Sequence, residues 1–132
     1  MQRIGQSRDT HRLITGKSLV LGGIDIPSPY AVDAHSDGDC LLHAIAEAFL
    51  GALALGDLGK HFPDTPGKDE GRDSAKMLEA VYRLVREHDF HLVNLDATVH
   101  LERPKLASHI DSMRERIAGI LGVSIDRVSV KA

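Results

Sequence analysis

The sequence is short of the residues that staple small domains. Its 132 residues contain one cysteine, Cys40, which excludes an internal disulfide and a multi-cysteine zinc site. There is no tryptophan, and the aromatic set is limited to Phe49, Phe62, Phe90, Tyr30 and Tyr82, so a core must be aliphatic. No apolar run nears the roughly 18–20 residues of a membrane helix. The opening Met1-Gln2-Arg3-Ile4-Gly5 lacks the apolar stretch of a secretory leader. The expected setting is therefore the cytoplasm, with no membrane partner. Neither sign of charge dominates: 16 Lys and Arg against 19 Asp and Glu give a net charge of −3. Such a chain neutralises phosphate backbones poorly, so no nucleic-acid partner is expected. Repeats, low-complexity tracts and long linkers are also missing, and residues 1–132 read as a single domain.

Histidine and glycine are plentiful, at eight and twelve residues. Hydrophobic periodicity supplies the frame around them. Arg3-Ile4-Gly5 reads as a short strand. Ser18 to Leu21, the turn signal Gly22-Gly23 and the alternating Ile24 to Pro27 read as a hairpin. Leu41, Leu42, Ile45, Ala48, Phe49 and Ala52 recur at helical spacing after Asp39. A Gly/Pro/Asp-rich loop is expected from Gly56 to Gly71, and loops of that length tend to be functional. A second helix starts at Asp73 or Ser74, either of which suits an N-cap, and ends near Glu87. Strict alternation from Leu92 to Leu101 predicts a strand with one polar face. A third helix from Ala107 to Leu121, stopped by Gly122, and a strand at Arg127 to Val130 complete the order β-β-β-α-α-β-α-β. The fold class expected is α+β or mixed α/β, with a single layer of mixed β-sheet and helices packed on one face.

The polar residues gather in four places. Asp9-Thr10-His11 puts a carboxylate and an imidazole two residues apart, on one side of an extended segment. His35-Ser36-Asp37-Gly38-Asp39 precedes the first expected helix, with His43 one turn in. Two histidines and an aspartate suit a zinc ion with one open position, and a helix N-terminus suits a phosphate. Asp37 and Asp39 serve equally as helix caps, and His43 as a hydrogen-bonded core histidine; spacing leaves both readings open. Gly56 to Thr65 mixes carboxylates, a hydroxyl and glycines suited to a polyol, or is an ordinary turn-rich connection. Arg103-Pro104-Lys105 could receive a phosphate or nucleotide. Cys40 is a poor nucleophile, because Asp37 and Asp39 beside it raise rather than lower its pKa.

Taken in order, Arg3-Ile4-Gly5, Asp9-x-His11, Ala34-His35-Ser36-Asp37-Gly38-Asp39 with His43, Gly56-Asp57-Leu58-Gly59-Lys60-His61-Phe62-Pro63-Asp64-Thr65 and Arg103-Pro104-Lys105-Leu106 resemble the 2-C-methyl-D-erythritol 2,4-cyclodiphosphate synthase family. The resemblance spans nearly the whole chain. It implies a phosphorus–oxygen lyase of non-mevalonate isoprenoid synthesis. The substrate implied is a cytidine diphospho-methylerythritol 2-phosphate, cyclised with release of CMP. It implies a homotrimer with active sites between subunits, zinc on Asp9, His11 and His43, and Mg2+ or Mn2+ bridging the substrate phosphates. By the same likeness His35 is catalytic, and His35 and Ser36 contact phosphate. Asp57, Leu58, Gly59, Phe62, Pro63, Asp64 and Thr65 line a methylerythritol pocket. Leu101, Pro104, Lys105 and Leu106 form a cytidine pocket. Asp9 and His11 count among the substrate-binding residues as well. The chain departs from the family pattern at Ser7-Arg8, at His100-Leu101, and after Lys131-Ala132, where family members continue with a Thr-Thr-Thr-Glu-Lys-Leu-Gly-Phe segment. A chain ending there is expected to keep the zinc site and turn over weakly or not at all. Two other classes fit the residues: a trimeric module that binds metal or isoprenoid phosphate without catalysis, and an unrelated zinc hydrolase with Asp37 or Asp39 as general base.

Overall fold

A computed structural model describes residues 1–63 and 73–132. Its strands are β1 (Leu13–Thr15), β2 (Ser18–Leu21), β3 (Ile24–Pro27), β4 (Tyr30–Val32), β5 (Leu95–Thr98) and β6 (Val128–Lys131). Its helices are α1 (Cys40–Ala52), the single turn α2 (Leu58–His61), α3 (Ser74–Glu87) and α4 (Ile110–Leu121). The chain is thus a small mixed α/β domain, as expected.

The hairpin holds: β2 pairs with β3 antiparallel, Leu19 opposite Ile26. Strands β1 and β4 flank it as a second antiparallel pair, Ile14 opposite Ala31. Each has only three residues, too short to show a period in the sequence. Strands β5 and β6 run parallel, Leu95 opposite Val128, and α4 lies between them in the chain as the crossover that parallel pairing requires. Among the described residues the pairing is mixed but divides into three two-stranded ladders rather than one continuous sheet.

The expected strand at Arg3 to Gly5 is absent. That segment is instead pressed onto α1. A Cβ on Gly5 would lie 1.9 Å from the Ala48 carbonyl oxygen, so only glycine lets the two backbones approach. Arg3 donates to the Ala52 carbonyl at 3.5 Å and sits over the Phe90 ring. With its backbone against a helix, the segment has no strand partner.

Helix α1 carries apolar residues over most of its girth and buries Leu41, Leu42, Ile45, Ala46 and Leu50. It packs chiefly on α3, whose Met77, Leu78, Val81 and Val85 form one buried stripe. Met113, Ile117 and Leu121 of α4 close the core against β6. Burying a side chain such as Leu42 or Leu78 stabilises the fold by about 1.5–3 kcal/mol. The core is aliphatic, as the aromatic shortage requires. The strand expected over Leu92 to Leu101 is regular only at β5, where Asp96 and Thr98 are exposed and Leu95 and Ala97 are half-buried.

Candidate metal centre

Two stretches bring the Asp-x-His pair and His43 together. Asp9 and His11 lie in the irregular segment before β1, and His43 lies one turn into α1. The Cys40 thiol donates to the Asp9 carbonyl at 3.1 Å, which fixes that segment to the start of α1. Glu47, one turn beyond His43, accepts from the Ser7 hydroxyl at 3.3 Å and from the Leu58 N–H at 3.1 Å, tying the same segment and α2 to α1.

Ligand atoms of Asp9, His11 and His43 all fall within 4.8 Å of one another. Asp9 Oδ2 is 3.1 Å from His11 Nε2 and 3.4 Å from His43 Nδ1, and the two rings meet edge to face at 5.3 Å. Yet buried Oδ2 accepts no hydrogen bond among the described residues. The outer ring nitrogens explain this. His11 Nδ1 lies 3.1 Å from the Gly38 carbonyl, which can only accept, so Nδ1 carries the proton. His43 Nε2 lies 2.8 Å from Ser74 Oγ, whose own proton goes to Asp37, so His43 Nε2 must be the donor. In the neutral rings the inner nitrogens then present lone pairs beside a carboxylate oxygen. Three unprotonated donors facing one another fit a cation, and their N/N/O character fits zinc.

Burial works to raise the Asp9 pKa, but the close approach of His11 and His43 prevails and holds the carboxyl well below the usual range. Asp9 in turn raises the pKa of His11, against the effect of burial. Both shifts report the same crowding of donors.

The loop ahead of α1 is shaped by its acidic residues. Gly38 has φ +76°, and a Cβ there would meet Val32 Cβ at 2.8 Å, so the turn requires glycine. Asp39 is fully buried. Its Oδ1 caps α1 through the Leu42 N–H at 3.0 Å and also accepts from Gly22 at 3.0 Å; its Oδ2 accepts from Gly23 at 2.7 Å. Burial pushes its pKa up, partly offset by these three N–H groups. Asp37 is engaged by Ser74 N and Oγ. Asp39 is therefore a cap that also anchors the β2–β3 turn, closed to water and unsuited to act as a hydrolytic base. The Cys40 thiol is raised, as expected, but chiefly by burial and by Asp9, with Asp39 a smaller cause, to about 12.

The other expected contact residues are distributed around this centre. His35 is exposed, and Ser36 is half-buried with its Oγ accepting from Gly38 N at 3.1 Å. Asp57 caps α2 through the Lys60 N–H at 3.0 Å; Leu58 and Phe62 are half-buried, Gly59 and Pro63 exposed. Asp64 and Thr65 lie outside the described residues. Leu101 and Pro104 are half-buried and Lys105 is exposed, whereas Leu106 is only 3% exposed in the core, which leaves its backbone alone available to a ligand. Spacing did not reveal Ser74 and Glu47 as site residues. Ser74 showed itself only as a possible helix cap, and Asp73 takes that role through Ala75 and Lys76.

No helix among the described residues is long and apolar enough to cross a membrane. Comparison with known proteins places this geometry. The family model described as the YgbB family matches residues 2–132. A 2-C-methyl-D-erythritol 2,4-cyclodiphosphate synthase from Geobacter sulfurreducens is 55% identical over 130 residues, covering 98% of this chain and 83% of the relative. The synthase from Trichlorobacter lovleyi is 53% identical with the same coverage. A solved synthase structure in its CDP-bound form superposes with a TM-score of 0.89 at 38% identity, covering 98% of this chain and 86% of that one. The chain belongs to the YgbB family.

Proposed function

We propose that this chain converts 4-diphosphocytidyl-2-C-methyl-D-erythritol 2-phosphate to 2-C-methyl-D-erythritol 2,4-cyclodiphosphate and CMP. The relatives that share over half its residues carry that synthase name. The observation that carries the reading is the convergence of Asp9, His11 and His43 with both outer imidazole protons already committed.

In the reaction an oxygen of the 2-phosphate attacks the β-phosphorus, a new P–O bond closes the ring, and the bond to the α-phosphate breaks with its electrons going to CMP. The step is intramolecular, so the protein's task is alignment and charge stabilisation. Asp9, His11 and His43 would hold zinc, which supplies an open position for a phosphate oxygen and Lewis acidity. Exposed His35 and neighbouring Ser36 would contact phosphate, with His35 stabilising the transition-state charge. Asp57, Leu58, Gly59, Phe62 and Pro63, with Asp64 and Thr65, would receive the methylerythritol unit. Leu101, Pro104, Lys105 and the backbone of Leu106 would receive cytidine from an adjacent subunit of a homotrimer. A CDP-bound relative supports a cytidine nucleotide as ligand. Mg2+ or Mn2+ would accompany the substrate and supply positive charge to its phosphates.

CMP release from the cytidylated substrate is the direct test. CMP release above the substrate's own background is expected, however slow, and His35→Ala is expected to lower kcat far more than it raises KM. Stoichiometric substrate binding with no CMP released would refute the synthase reading in favour of a binding module. His43→Ala should abolish zinc retention; unchanged zinc per chain would remove His43 from the ligand set.

A further inference from the structure

Ser74 is fully buried at the first residue of α3, far in sequence from the three metal-site residues, yet it touches one of them. Its Oγ receives the His43 Nε2 proton at 2.8 Å and passes its own proton to Asp37 Oδ1. The Ser74 N–H also binds Asp37 Oδ2 at 2.9 Å. Asp37 therefore grips Ser74 at two points, and Ser74 has a single orientation in which it can accept from His43.

We propose that Asp37 and Ser74 are positioning residues for the metal centre: they hold the His43 proton on Nε2 and keep the Nδ1 lone pair aimed at the ion. The proposal rests on the reading of Asp9, His11 and His43 as metal ligands. Its physical basis is the partner at 3.4 Å from His43 Nδ1, the Asp9 carboxylate. An imidazole without an acceptor at Nε2 would place its proton on Nδ1, toward Asp9, and that tautomer cannot ligate through Nδ1. The Ser74 acceptor decides between the two tautomers. His11 needs no such device, because its outer nitrogen meets a backbone carbonyl. Outer hydrogen bonds of this kind change metal affinity by about 10–100-fold.

The test measures zinc affinity of the full chain by competition with a chromophoric chelator, for wild type, Ser74→Ala, Asp37→Asn and Asp73→Ala. Asp73 caps the same helix without touching His43, so Asp73→Ala reports on α3 stability alone. Ser74→Ala is expected to weaken zinc binding by about 10–100-fold and Asp37→Asn by on the order of tenfold, with Asp73→Ala close to wild type. In the metal-free protein, 15N chemical shifts of the His43 ring should report an Nε2-protonated ring in wild type and a shift toward Nδ1 protonation in Ser74→Ala. Equal affinity in wild type, Ser74→Ala and Asp37→Asn overturns the proposal, as does an equal loss in Asp73→Ala. An unchanged His43 tautomer in Ser74→Ala overturns it too, even if that variant is less stable. Failure of the wild type itself to bind zinc refutes the ligand reading instead.

Discussion

Replacing Asp39 offers a quantitative test of how the site is built. Its carboxylate is fully buried and accepts three backbone N–H groups, two on Oδ1 from Leu42 and Gly22 and one on Oδ2 from Gly23. Asp39→Ala removes all three. Loss of the α1 cap costs about 1 kcal/mol, and each glycine N–H left without an acceptor adds about 1–3 kcal/mol. The sum, roughly 3–7 kcal/mol, is a large part of the 5–15 kcal/mol typical of a domain. Asp39→Asn is milder and more informative. Its amide oxygen can replace Oδ1 for Leu42 and Gly22, but its NH2 then faces the Gly23 N–H across 2.7 Å, donor against donor. That leaves one lost bond, about 1–3 kcal/mol. Urea denaturation of the metal-free variants measures both, since a midpoint shift at constant slope is a stability change. The expected order is wild type, Asn, then Ala, each step at least about 1 kcal/mol. Equal midpoints for Asn and Ala would refute the division of labour between the two oxygens. Both midpoints at the wild-type value would refute the anchoring role itself.

Three further outcomes follow from the geometry. Gly5→Ala forces backbone apart, because the new methyl meets the Ala48 carbonyl; a stability loss of about 1–3 kcal/mol is expected in denaturant titration, with faster zinc release as Asp9 and His11 shift. The Cys40 thiol, pushed up to about 12, should be thiolate in about one molecule in ten thousand at pH 8. Folded protein should resist iodoacetamide under conditions where urea-unfolded protein reacts, and equal rates would contradict the burial. Arg114 joins α4 to the chain leading into β6, donating to Val128 O at 2.7 Å and Ile125 O at 3.2 Å. Arg114→Ala should lower stability by about 1–3 kcal/mol, read as a drop in Tm, and an unchanged Tm would refute the link.

Much of the frame was legible because it rests on local patterns. The helix periods, the Gly22-Gly23 hairpin, the caps at Asp39 and Asp73 and the αL Gly122 all express themselves within a few residues. The ligand pair Asp9 and His11 was visible for the same reason. Arg3 to Gly5 was misread as a strand because the deciding contact is the Ala48 carbonyl, more than forty positions away, and strand propensity yields to tertiary contact. β1 and β4 were too short to show alternation. The choice between Asp39 as general base and Asp39 as cap was set by Gly22 and Gly23, and the tautomer of His43 by Ser74; neither partner is near enough in sequence to announce itself. Asp73 and Ser74 were interchangeable as caps on paper. The fold gives the cap to Asp73, which leaves the Ser74 hydroxyl free for His43.

The segment ahead of β1 carries two of the three residues able to hold a cation but belongs to no strand ladder. Side chains supply most of its hold, with Arg3 on Ala52, Ser7 on Glu47, His11 on the Gly38 carbonyl and Cys40 on the Asp9 carbonyl, and one backbone bond from Asp33 N–H to the Arg12 carbonyl at 2.9 Å closes its end. A cation bound there would act as a rivet between the chain's first dozen residues and its first long helix. Chelation should then let that strip peel away while the aliphatic interior stays shut, so that amide exchange quickens at the start of the chain well before global unfolding.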